Sequence, residues 1–134
     1  MMRKRMPVLV MVAIVVVALI PGIAAAQAEI RLDRHATLVG GEVFSDQIIV
    51  EFTYRCSGGT ANVIGQASQT APVGSATGFG SAFVTCDGQL HRDGVTVTTS
   101  FLPGWQAGPA TAAVTLFTPS ATDADSGTIT IVTP

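Results

Sequence analysis

The chain has 134 residues, with seven basic and nine acidic side chains and a formal net charge of −2. That length supplies one domain. Three of the basic residues, Arg3, Lys4 and Arg5, stand at the extreme N-terminus, and beyond them the chain is acidic and has no lysine. This balance excludes recognition of a phosphate backbone and adhesion to anionic membrane surfaces.

The N-terminus reads Met1-Met2-Arg3-Lys4-Arg5, then residues 8–20 without a polar side chain, then Pro21-Gly22 and Ala24-Ala25-Ala26-Gln27-Ala28. A cationic end, a short apolar run and small residues at the exit are the pattern of a secretory signal peptide. The small residues allow a cut after Ala26 or after Ala28. A retained anchor is the alternative, but a spanning helix needs roughly 20 uninterrupted apolar residues, and Pro21-Gly22 breaks this run. The reading is therefore a signal peptide over residues 1–26, a single domain over 27–134, and a secreted product with no stable membrane anchoring after cleavage. Loss of Arg3, Lys4 and Arg5 leaves Arg31, Arg34, Arg55 and Arg92 against the nine acids, a net charge of −5.

Beyond the leader the hydrophobic period is two. Residues 31–39 read as a first strand. In residues 47–56, Ile48, Val50, Phe52, Tyr54 and Cys56 share one face, while Ile49, Glu51, Thr53 and Arg55 share the other. That is a half-buried antiparallel strand, which Ser57-Gly58-Gly59 is expected to end. Residues 61–67 form a weaker strand, with Val63 or Ile64 inward. Residues 68–80 are rich in Ser, Thr, Ala and Gly and read as a flexible connection or irregular edge. Residues 81–86 place Ala82, Val84 and Cys86 on one face. Asp87-Gly88 and Asp93-Gly94 are turn signals. Val95, Val97, Thr99 and Phe101 alternate again, Pro103-Gly104 turns the chain, Ala110, Ala112, Val114 and Leu116 follow, and residues 127–132 close it. About seven short strands bounded by Gly, Pro, Asp and Ser point to an all-β sandwich or barrel. No stripe of helical period survives outside the leader, which argues against parallel α/β architecture.

The two cysteines, Cys56 and Cys86, fall on inward faces of an exported chain, where one disulfide is the default. Closing a loop of that size stabilises a fold by about 3.5 kcal/mol in the chain-entropy account. A zinc site from these cysteines with His35 and His91 lacks finger spacing.

Tyr54-Arg55-Cys56, Cys86-Asp87-Gly88-Gln89-Leu90-His91 and the run from Phe101-Leu102-Pro103-Gly104-Trp105 to Ala110-Thr111-Ala112 together resemble a family of small secreted actinobacterial immunoglobulin-like domains of unknown function. The resemblance covers roughly residues 45–118. It implies an immunoglobulin-like antiparallel β-sandwich of about seven strands and an extracellular address, and no activity. Antibody-type domains carry a tryptophan between two widely spaced cysteines. Here Trp105 follows both cysteines, so a Cys56–Cys86 bridge differs from the usual one between central strands.

The candidate sites are few. Asp87, His91 and Asp93 offer oxygen and imidazole ligands in one turn-rich stretch, which reads more simply as two hairpin turns around a solvated histidine. Thr122-Asp123-Ala124-Asp125-Ser126-Gly127 is similar to half of a calcium loop but lacks the bidentate Glu, and reads as a polar turn before the last strand. No G-x-S-x-G elbow occurs, and no serine is linked by pattern to a histidine. Trp105 beside Phe101, Phe79 and Phe117 is the notable apolar group. An exposed Trp105 with Phe101 would suit a ligand surface; the alternative is a core plug at one end of the fold. The expectation is a non-catalytic secreted binding or interaction module, with no cofactor or metal, acting on a protein or cell-envelope partner. The competing readings are a small-ligand carrier of the chromophore-binding type and, behind it, a small protease inhibitor.

Overall fold

The computed structural model describes residues 28–40, 43–70 and 74–134; the expected leader over residues 1–26 lies outside them. The described chain is all-β. In chain order it forms β1 (Ala28–Leu38), β2 (Phe44–Ser45), β3 (Gln47–Thr70), β4 (Ser75–Asp87), β5 (His91–Thr99), β6 (Trp105–Gln106), β7 (Gly108–Phe117) and β8 (Thr122–Val132). Six strands make one sheet in the order β1-β8-β7-β3-β4-β5, and β2 pairs with β6.

The 24-residue β3 organises the molecule. Ser57-Gly58-Gly59 does not end it. Gly58 and Gly59 adopt φ of +106° and +105°, which glycine reaches at little cost, and the register slips between Ser57 and Gly59. A bulge bends a strand without stopping it. The first half of β3 pairs with β1 on one side and β5 on the other. The second half pairs with β4 and β7. Two short seams join the two groups. Residues His35, Ala36 and Thr37 of β1 run parallel to β8, and Gly78 and Phe79 of β4 pair with Thr99 and Thr98 of β5. The circuit of pairings thus closes, with β3 counted twice, and one row of inward side chains from every large strand meets in the middle.

Strand alternation fills that core. Ile48, Val50 and Phe52 from β3 meet Val95 and Val97 from β5, with Val63, Val114, Leu116, Ile129 and Ile131 from the other group, all buried. Residues 68–80 depart from the sequence reading. Ser68 to Thr70 and Ser75 to Gly80 are ladder positions of a β3–β4 hairpin. Their small residues are needed where β4 crosses β5: a Cβ on Gly78 would fall on the Thr98 carbonyl oxygen, and one on Gly80 on the Thr96 carbonyl oxygen. Backbone meets backbone there, so the glycines mark a close approach rather than a flexible linker. Asp93-Gly94 likewise lies inside β5 and is no turn, whereas Asp87-Gly88 does turn the chain between β4 and β5.

Cys56 and Cys86 form the expected disulfide, with Cα atoms 4.6 Å apart. They lie on neighbouring antiparallel strands beside the Ser57/Gly59 irregularity, so the bond staples β3 to β4 rather than spanning the core. The Tyr54 hydroxyl donates to the Thr85 carbonyl at 3.1 Å in the same corner.

The last strand also differs from its reading. Thr122 to Gly127 is strand from its first residue, paired with β7. Asp123 and Asp125 are not presented as a loop of ligands. Their carboxylates accept from the backbone amides of Ile30 at 2.9 Å and Leu32 at 2.8 Å. Where β1 and β8 have no ladder, these side chains supply the acceptors that a backbone carbonyl would have supplied.

Candidate ligand-binding face

Inward positions are fixed by the core, so any site must be built from outward ones. The outward positions fall on two faces. On the face of β1, the first half of β3 and β5 they include Glu29, Arg31, Glu51, Arg55 and Arg92. On the face of β8, β7, the second half of β3 and β4 up to Thr85, none ionises. Its cross-strand rows follow from the register. One row runs Ser126–Ala113–Gln66–Phe79, and the next runs Thr128–Thr111–Ser68–Thr77.

These two rows floor a concave depression of about 810 Å3. Ala113 and Ser126 keep the β7–β8 side low, because their side chains are short; Gly127, between Ser126 and Thr128, faces the other way, where the Arg34 guanidinium packs against it. Phe79 and Phe101 raise the opposite wall, 72% and 56% exposed. Phe101 is placed by Thr99. That hydroxyl donates to the Thr77 carbonyl at 2.8 Å and accepts from the Phe101 amide at 3.1 Å, so β5 stops and the chain swings across the end of β4. Ser68 and Thr77 hydroxyls approach to 3.4 Å across the floor. No lining side chain carries a charge. The surface therefore offers hydroxyl donors and acceptors, one exposed amide (Gln66) and two apolar plates, which can hold a ligand but present no acid, base or nucleophile pair for chemistry.

Of the sequence candidates, Phe101 lines this depression and Trp105 does not. Trp105 is 0% exposed, on β6 against β2, and its indole N–H has no partner among the described residues. It plugs the core. Phe79 belongs with Phe101, whereas Phe117 is exposed at the far end of β7. The end that Trp105 closes is fixed by a residue the sequence reading passed over. Gln69 is buried, its Nε2 donates to the Gln106 carbonyl at 2.8 Å, and its Oε1 accepts from the Gln106 amide at 3.0 Å. The side-chain amide thus pairs with β6 as a strand would. A glutamine at an inward position, two after Ala67, was the available signal.

The titratable groups are elsewhere. Asp87 accepts from the Gln89 amide and from His91 Nε2 at 2.8 Å. These bonds, the amide first, hold its carboxyl below the usual carboxylate range. Asp93 lies apart on β5, near Tyr54. Burial chiefly, and Asp93 next, push the Tyr54 hydroxyl above its ordinary value of 10.0, against the hydrogen bond to Thr85. Asp33, His35 and Glu51 bring three potential ligand atoms within 4.8 Å of one another. Sequence reading missed this because the β1 irregularity between Leu32 and Ala36 creates it. Arg92 already occupies the group, donating to Asp33 and, at 2.7 Å, to Glu51. Glu51 first and then Asp33 raise the Arg92 pKa in return. The arrangement is a surface ion-pair network on the charged face.

No protein-family model matches this sequence, and a search of curated proteins returns no match.

Proposed function

We propose that this protein is an exported, non-catalytic binding domain of immunoglobulin-like type, and that the concave charge-free face of β4, β3, β7 and β8 is where it binds. The observation that carries this reading is the depression of about 810 Å3 walled by exposed Phe79 and Phe101. Folding gives no reason to leave two large aromatic rings in water beside a hollow, and binding does.

The pairing order supports the immunoglobulin-like assignment. With the halves of β3 counted separately, β1, the first half of β3 and β5 correspond to strands A, B and E of one layer, and the second half of β3, β7 and β8 to strands C, F and G of the other, with β4 added at its edge beside the second half of β3. The first strand serves both layers, antiparallel to β3 and parallel to β8. The disulfide supports export, since such bonds persist in oxidising compartments.

The volume favours a small ligand, and so the carrier reading over a large partner surface. Native mass spectrometry of the protein from its own culture supernatant, beside its denatured mass, tests the reading. The expected result is a small mass retained on the native protein and lost from an Ala113→Arg variant. A bare protein, with no component of the supernatant shifting its amide resonances, overturns it.

A further inference from the structure

Resting on that reading of the face, we infer that the ligand is a neutral small molecule with a flat ring system, lying on the floor of the depression against Phe79 and Phe101.

Charge sets the first limit. The lining holds no ionisable side chain, although the opposite outer face carries acids and arginines throughout. A charged ligand here would lose water and gain no counter-charge. Dimensions set the second. Four strands enclose three inter-strand spacings, so the floor is about 14 Å wide, and two rows along a strand span about 7 Å. Two or three fused or linked rings fit that slot lying down. A volume of about 810 Å3 falls within the range of small-molecule sites.

The chemistry of the walls sets the third. Phe79 and Phe101 present apolar ring surface, which suits stacked or edge-on contact with another ring. The floor stays low because Ala113, Ser68 and Ser126 are small, so a plate can reach it. Thr77 and Thr111 in the second floor row add hydroxyls able to donate or accept to ring substituents. Sugars are commonly gripped by several planar amide, carboxylate or guanidinium groups. Here Gln66 is the single such group in the lining.

A matched pair of probes tests this. N-phenyl-1-naphthylamine is neutral. 8-Anilinonaphthalene-1-sulfonate has the same ring skeleton with one negative charge. Fluorescence titration of the oxidised protein is expected to show the neutral probe binding at least tenfold more tightly than the sulfonate. Phe101→Ser, on an exposed loop and without consequence for folding, should weaken the neutral probe about fivefold. Ala113→Arg should weaken it at least tenfold and narrow or reverse the preference against the sulfonate. Arg92→Met, on the other face, should change neither. A neutral probe that does not bind, or binds equally to Phe101→Ser and Ala113→Arg, overturns the inference. Equal binding of the sulfonate, or of an oligosaccharide in place of the ring probe, overturns the ligand class while leaving the face as the binding site.

Discussion

The outer face of β1, the first half of β3 and β5, and the outer face of the second half of β3, β4, β7 and β8, are laid over one core and share the long strand β3. Their strand geometry is the same and their chemistry is opposite. The first carries Glu29, Arg31, Glu51, Arg55 and Arg92, with Asp33 and His35 added by the β1 irregularity. The second carries hydroxyls, Ala113, Gln66 and exposed phenylalanines without one charge from Ser75 to Thr85 or from Thr111 to Phe117. The core dictates only the inward half of each strand. The outward half is free to serve solubility, and the charged face does so. An outward half that forgoes charge and exposes aromatic rings is under a different requirement, and ligand binding supplies one.

That comparison can be broken at its joints. The largest effect is expected at the staple between β3 and β4. Replacing Cys56 and Cys86 together by alanine should cost about 3.5 kcal/mol in urea unfolding and loosen the charge-free face first, seen as faster amide exchange in β4 than in β5. Next is the seam between the faces. Gly80→Ala drives a methyl into the Thr96 carbonyl and should cost about 3 kcal/mol, as overpacking does. Gln69→Leu removes the buried side-chain amide that bonds the Gln106 amide and carbonyl at the Trp105 end and should cost about 2 kcal/mol, with a shift in tryptophan fluorescence. Asp125→Ala, which removes the acceptor for the Leu32 amide, should cost about 1–2 kcal/mol. Smallest is the charged face itself. Arg92→Met should change stability least of these substitutions, and the difference should shrink in high salt.

Alkaline pH sharpens the corner beside the disulfide. The folded state holds the Tyr54 proton more tightly than the unfolded chain does. Its contribution is complete below the ordinary tyrosine value of 10.0 and is lost as pH rises beyond it. Unfolding free energy measured against pH should fall above that point in the natural protein and fall less in Tyr54→Phe.

The alternation of Ile48 to Cys56, of Ala110 to Leu116 and of Val95 to Thr99 was legible because each strand has one buried face, and period two then writes itself into the sequence. The cysteine pair was legible for the same reason. What the sequence hid depends on contacts between distant segments. Ser57-Gly58-Gly59 carries the residues of a turn, yet partners on both sides carry β3 through it as a bulge. Residues 75–80 look like a linker because close backbone packing demands glycine, the residue that also marks linkers. Thr122 to Gly127 looks like a polar turn because Asp123 and Asp125 act as ladder acceptors for β1. Phe101 was legible as part of the candidate site, whereas Trp105, drawn from the same run, faces the core. The rows of Ser68, Thr77, Thr111 and Ala113 become a surface only through register, which no local pattern states.

The most direct test of a functional division between the two faces is a titration of 15N-labelled oxidised protein with N-phenyl-1-naphthylamine, following backbone amides on both. Binding on the charge-free face predicts saturable shifts at Gly78, Phe79, Ala113 and Gly127 and none at Thr53, Arg92 or Thr96. Shifts confined to the charged face, or spread evenly over both, would contradict it.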